Sequence, residues 1–286
     1  MTSGRTLTWR YAMTNSGLGS ILAMGGGGFS MEPENPLLDD YLLSLARRQP
    51  ARVCFVPTAS GDAAPYIAKF YRAFTGRCIA TDLTLFDGAL PRRPANSADL
   101  AGFLADQDII YVGGGNTVNL LAVWRAHGLD VLLRNALHTG TVLGGLSAGM
   151  ICWFDGGVTD SYGKLGALQD GLGFLRGSAC PHYDGEAERR PTYQRLVAEG
   201  FAAGYAADDG AALHFRGQEL LEAVSSRPDA GAFRVSLTEG KVMESRLPVR
   251  FLGAPAARTG DHLRQTAVSP TSGELLARSE PSAPIR

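Results

Sequence analysis

Between about residues 19 and 252, short apolar runs ending in glycine or proline alternate with longer stretches whose apolar residues recur at helical spacing. That alternation is the pattern of β-α-β units around a parallel sheet. "SILAMGGGG" reads as the first strand and turn, "PLLDDYLLSLARR" as a helix and "ARVCFVPTASG" as the second strand and turn. "YIAKFYRAFTG" reads as helix, "ATDLTLFDG" as strand, "ADLAGFLADQ" as a short helix and "DIIYVGGGN" as a buried strand running into a glycine turn. "TVNLLAVWRAHGLDVLLRNALHTG" supplies a helix and its continuation with Gly140 as the stop, and "TVLGGLSAGMICWF" then gives strand, elbow and helix. Beyond "SACPHYDG" and the helical "TYQRLVAEGF" the pattern turns strand-like in "AALHF", "ELLEAVSS" and "KVMESRLPVRFL", which predicts an antiparallel edge or cap. The expected architecture is a three-layer α/β/α sandwich around a mainly parallel sheet. It forms a single domain over 19–252, with a polar lead-in over 1–18 and a poorly ordered, Ala/Pro/Ser/Thr/Arg-rich tail over 253–286.

Composition narrows the partners. The 286 residues are 45% hydrophobic and carry 27 Lys plus Arg against 28 Asp plus Glu, a formal charge of -1. A core of domain size is available, and neither a nucleic-acid groove nor an anionic membrane surface is indicated. No apolar run has the length of a membrane span or a signal-peptide core. Cys54, Cys78, Cys152 and Cys180 are widely separated with no CxxC pair, which suits a reducing cytoplasm. A small molecule or short peptide is the expected partner; the oligomeric state is open, with a homodimer as the candidate.

Two glycine-rich stretches invite a phosphate-binding reading and fail it. A GxGxxG begun at Gly25 has Ser30 in its sixth position and one begun at Gly26 has Met31, while Gly163-Lys164 is followed by leucine and lacks the upstream glycine of a P-loop. "GGGGF" at 25–29 reads instead as a tight turn after the first strand, with lining of a cleft as its second reading. Gly145-Leu146-Ser147-Ala148-Gly149 fits a nucleophile elbow, in which a strained strand-to-helix turn pushes a serine Oγ into a cleft and the next amide faces a developing oxyanion.

A serine nucleophile needs a base. Of five histidines, His127 and His138 fall on solvent-facing helical stretches, His262 lies in the tail, and His214 reads as a strand-face histidine within "AALHF". His182, in the loop "CPHYDGE" after an apolar segment, is the best placed. Asp160 would orient it in the order Ser, Asp, His, and Asp209 in the order Ser, His, Asp; spacing does not choose between them. A metal site from His182, Asp184 and Glu186 is weaker, because a single imidazole among carboxylates makes a poor zinc site.

Five segments in this order, "YVGGGNTVNLL", "GGLSAGMICWF", "TDSYG", "PHYDGEAERR" and "DDGAAL", resemble the aspartyl dipeptidase (dipeptidase E) family of serine peptidases. That family is related in fold to cyanophycinase and the class I glutamine amidotransferases. The resemblance spans about residues 19 to 245 and implies a class I glutamine amidotransferase-like fold. It implies Ser147 as nucleophile and His182 as general base. Asp209 stands where the best-known members have a glutamate before a glycine, with Asp208 its neighbouring alternative. It further implies Gly115 and Ala148 as oxyanion donors, Asn116 beside the substrate, Asp160 on a free α-amino group, and Glu186, Arg189 and Arg190 around a substrate carboxylate. The implied chemistry is acyl-enzyme hydrolysis of short peptides with N-terminal Asp, without cofactor or metal. The alternatives are a cyanophycinase-like isopeptidase and a catalytically silent binding or sensing module of the same fold.

Overall fold

The computed structural model describes residues 17–86 and 97–253. The expected lead-in, except for its last two residues, and the expected tail from residue 254 lie outside the described residues. In chain order the elements are β1 (Ser20–Met24), α1 (Gly28–Met31), α2 (Leu37–Ser44), β2 (Arg52–Val56), α3 (Ala64–Phe74), β3 (Ile79–Asp82), α4 (Ser97–Ala105) and β4 (Ile109–Val112). Then follow α5 (Thr117–His127), α6 (Leu129–His138), β5 (Val142–Leu146), α7 (Ala148–Ile151), β6 (Phe154–Thr159), β7 (Gly166–Leu168), β8 (Leu175–Cys180) and α8 (Arg189–Ala198). The chain closes with β9 (Gly204–Ala207), β10 (Ala211–Arg216), β11 (Glu219–Ser225), β12 (Ala232–Thr238), β13 (Lys241–Arg246) and β14 (Val249–Phe251).

Eight strands form the main sheet in the order β14-β11-β10-β1-β5-β4-β2-β3. From β1 to β3 every pairing is parallel, and β10 and β11 extend the sheet as an antiparallel hairpin. The near-continuous apolar runs of the central strands follow from burial on both faces. Ile21 and Ala23 of β1, Cys54 and Val56 of β2, and Ile110 and Val112 of β4 pack with α4, α5, α6 and α7. Their alternates Leu22, Met24, Val53, Phe55, Ile109 and Tyr111 pack with α1, α2 and α3. This is the expected three-layer sandwich.

A second, six-stranded sheet in the order β13-β12-β9-β8-β6-β7 goes beyond the expectation of an edge or cap. Helix α8 covers it with Tyr193 and Val197 against Val158, Cys180, Ala206 and Val235. The elbow helix is also shorter than the sequence pattern suggests. Helix α7 makes one turn, and Phe154 already begins β6, whose pairing with β8 overrides local helical preference. Gly128, at φ 66°, ends α5 and turns the chain into α6. Among the described residues no helix is long and apolar enough to cross a membrane.

The turn after β1 is anchored from below. Phe29, in α1, is 2% exposed and lies 5.2–5.7 Å, ring centre to ring centre, from Tyr111, Phe55, Tyr66, Phe70 and Phe74. Truncating such a ring costs about 3–5 kcal/mol, so the turn is fixed by the core beneath it. Asp39 of α2 sits in the same layer, 2% exposed, with no partner in hydrogen-bond geometry for Oδ1 among the described residues. Burial raises its carboxyl from 3.8 to about 7, against the smaller opposing pull of Arg77. A raised folded-state value means that this group's contribution is full below about pH 4 and is lost as pH rises through about 7. Asp39→Asn should therefore remove part of the fall in melting temperature between pH 5 and pH 8. A few degrees are expected, since about 1 kcal/mol moves a domain of this size by roughly 2–4 °C. Parallel melting curves for parent and variant across that range would contradict the assignment.

Candidate active site

The carboxyl ends of the parallel strands gather the chemistry, as expected for an open α/β sheet. At the end of β5, Ser147 adopts φ 57° and ψ -113°, a conformation unfavourable for a residue with a Cβ. Its amide donates to Met24 O at 3.2 Å, and its carbonyl accepts from Met150 and Ile151. Both flanking glycines are required by space. A Cβ on Gly145 would come within 2.6 Å of Gly149 O and 2.8 Å of Val112 O, and one on Gly149 would run into Val112 O. The GxSxG spacing is thus the imprint of β4 lying against the elbow.

The GGGN loop after β4 runs beside that elbow; a Cβ on Gly114 would lie 3.3 Å from Ser147 Cβ. Gly115, at φ 139°, leaves no room for a side chain against Ala59 O. Around it, Gly113 N donates to Val56 O, Gly114 N to the Tyr66 hydroxyl, Asn116 N to Ala59 O and Thr117 N to Ser161 Oγ. Among the described residues the amides of Gly115 and Ala148 donate to no backbone carbonyl. The Asn116 side chain accepts from Asn119 N at 2.9 Å as the α5 cap and donates to Ser161 O at 3.1 Å.

His182 follows β8 in another left-handed conformation, φ 52°, with its amide on Gly25 O at 3.2 Å. Its Nδ1 lies 2.6 Å from Asp209 Oδ1. An ionised carboxylate only accepts, so Nδ1 carries the proton and Nε2 is the basic nitrogen. Asp209 lies where the chain crosses from β9 in the second sheet to β10 in the main one, and Gly210 N donates to Gly26 O at 3.1 Å. Gly25 tolerates no Cβ here, and Gly26 would take one only by displacing a side chain. On Gly25 it would run into Ala207 O, and on Gly26 into Asp209 Oδ1 with His182 Nδ1 3.1 Å away. Asp208 turns the other way: its Oδ2 accepts from Gly231 N at 2.7 Å, and burial raises its carboxyl to about 6. Of the two neighbouring acids, Asp209 is the one that meets the imidazole.

A cleft of about 360 Å³ is lined by Gly115, Asn116, Ser147, Asp160, Ser161, Glu186 and Arg189. Asp160 is exposed within it. Arg189 is 3% exposed and donates Nε to Glu186 Oε2 at 2.7 Å, Nη2 to Glu186 Oε1 at 3.3 Å and Nη1 to Val158 O at 2.8 Å. Arg190, expected beside the substrate, faces elsewhere. It pairs with Glu244 of β13 and lies over the rings of Tyr183 and Phe233 at 5.4 and 5.2 Å. Successive residues at a helix start project about 100° apart, so only one of two adjacent arginines enters the cleft. Ser161 escaped the sequence reading. Its hydroxyl accepts from Thr117 N and hydrogen-bonds Thr159 Oγ1 at 2.7 Å, and the only sequence signal was its place next to Asp160.

His127, His138 and His214 do not line this cleft. His214 is buried on its strand with Nδ1 2.7 Å from Tyr41 Oη, and His127 and His138 are exposed on their helices. His262 falls outside the described residues. His182, Asp184 and Glu186 do not converge on a common point for a metal. Asp184 accepts from Asp209 N and Arg227, and Glu186 pairs with Arg189.

Comparison with known proteins places the chain in a family. The chain is 54% identical over 235 residues to an uncharacterized peptidase, YgaJ, of Bacillus subtilis (strain 168), covering 82% of this chain and 99% of that one. It is 31% identical over 130 residues to peptidase E of Pasteurella multocida (strain Pm70), covering 42% of this chain and 55% of that protein. The crystal structure of a peptidase from an acI-B1 Actinobacterium shares the fold, with a TM-score of 0.58 at 18% identity over 81% of this chain and 95% of that one. The family model of peptidase family S51 matches residues 21–223, and the chain belongs to that family of peptidases.

Proposed function

We propose that the protein is a serine exopeptidase that hydrolyses short peptides with a free N-terminus, aspartate in first position, through an acyl-enzyme intermediate. The observation that carries the reading is the attachment of the Ser147 and His182 amides to consecutive carbonyls at the end of β1, with Asp209 on the far nitrogen of the imidazole. In this mechanism His182 Nε2 takes the proton from Ser147 Oγ as it attacks the first peptide carbonyl. The Gly115 and Ala148 amides hold the oxyanion, and Asp209 steadies the imidazolium. The imidazolium returns the proton to the leaving amine. Water, deprotonated by the same imidazole, then releases the acyl group.

Specificity rests on the three charged side chains that line the cleft, Asp160, Glu186 and Arg189. The exposed Asp160 carboxylate suits an α-ammonium group, which makes cleavage depend on a free N-terminus. The Arg189 guanidinium at the cleft wall suits an acidic side chain, with Glu186 as the carboxylate that a substrate carboxylate would replace. The test is hydrolysis of Asp-X, Glu-X and neutral dipeptides, each free and N-acetylated, by the parent, Ser147→Ala and Asp160→Ala proteins. Cleavage of free Asp-X by the parent, lost in Ser147→Ala and reduced at least tenfold in Asp160→Ala, is expected. Undiminished turnover by Ser147→Ala, or equal cleavage of acetylated peptides, would refute it.

Gly26→Ala offers a more local check. The new methyl must displace the Asp209 carboxylate, the movable atom in its path, and so uncouple it from His182. A folded variant with kcat lower by about two to four orders of magnitude is expected, the scale set by misorienting a triad imidazole. Parental kcat with Gly26→Ala would contradict the role given to Asp209.

A further inference from the structure

We propose that Asp184 and Arg227 are positioning residues that hold Asp209 against His182, a proposal that rests on the catalytic reading of Ser147, His182 and Asp209. Asp209 sits in a connection between two sheets, where no ladder of its own fixes it beyond the single bridge to Gly26. Its peptide groups are instead held on both sides by one ion pair. Asp184 Oδ1 accepts from Asp209 N at 2.8 Å, and Arg227 donates to Asp209 O. The two clamp residues are joined, with Arg227 Nη2 donating to Asp184 Oδ2 at 2.8 Å.

Arg227 reaches Asp209 across Gly210. A Cβ on Gly210 would lie 2.8 Å from Arg227 Nε, so the glycine after the acid makes way for the guanidinium. Glu32 lies behind it, 3.8 Å from Arg227 Nε, and accepts from Ser226 Oγ at 2.7 Å. The geometry explains how a side chain as short as aspartate reaches the imidazole at 2.6 Å: the backbone is brought to the histidine. The side chains of Arg227 and Asp184 are 40% and 42% exposed, and pairs that open to water contribute little to folding. Their removal should leave a folded protein with a loosened Asp209.

The experiment combines kinetics with a spectroscopic readout. Arg227→Ala and Asp184→Ala should each lower kcat tenfold or more with KM nearly unchanged, and Arg227→Lys should recover part of the loss. In an Asp209→Ala background the same substitutions should have no further effect, because the group they position is gone. Separately, in Ser147→Ala protein, the His182 Nδ1 proton should give a far-downfield NMR resonance that broadens or disappears when Arg227→Ala is added. A resonance that survives Arg227→Ala unchanged would overturn the proposal even if the protein cleaved no peptide, since the signal does not require turnover. Equal kinetic losses with and without Asp209 would overturn it as well. Absence of turnover in the parent with loss of the resonance in Arg227→Ala would keep the clamp and refute only the peptidase reading.

Discussion

Three consecutive carbonyls at the end of β1 hold the site together: Met24 O takes the amide of Ser147, Gly25 O that of His182 and Gly26 O that of Gly210, next to Asp209. Each hydrogen bond contributes only about 0.5–1.5 kcal/mol, so their importance is geometric. They tie the end of a main-sheet strand, a loop leaving the second sheet and the crossover between the sheets to one short stretch of backbone. The approach is close enough that a Cβ on Gly25 would run into backbone and one on Gly26 into the Asp209 carboxylate. The glycine run is therefore the common mount of three loops far apart in sequence.

That mount has to be rigid, and the core makes it so. Phe29, directly after the glycines, is packed among five aromatic rings. Rigidity matters because Ser147 and His182 both occupy left-handed backbone conformations, each costing on the order of 1–3 kcal/mol, which only a well-determined surrounding structure maintains. The strain falls on the two residues proposed to exchange a proton. It comes with hydrogen bonds at both positions: the Ser147 carbonyl caps α7 and the His182 carbonyl accepts from Glu186 N.

Much of this was legible in the sequence, for identifiable reasons. Parallel strands buried on two faces write apolar runs, and GxSxG records the crowding of Gly145 and Gly149 against Val112, so both could be read locally. His182 emerged by elimination among five histidines. What stayed hidden is what depends on long-range contact. The choice between Asp208 and Asp209 turns on Gly231, 22 residues or more away in sequence and adjacent in space to Asp208 alone. Arg189 and Arg190 look equivalent in sequence, and Glu244 on β13 with the rings of Tyr183 and Phe233 holds Arg190 away from the cleft. The second sheet was foreshadowed only as an edge or cap, because glycines and polar residues interrupt β6 and β8 while β12 and β13 are partly exposed, so no long apolar run marks it.

The central claim is that Ser147 is a nucleophile made reactive by His182 on this shared mount. Its most direct test is labelling with a fluorophosphonate followed by mass-spectrometric mapping of the adduct. The account predicts one equivalent bound, on Ser147, at a rate that falls by orders of magnitude in His182→Ala. No adduct on the folded protein, or an adduct on another residue, would contradict it.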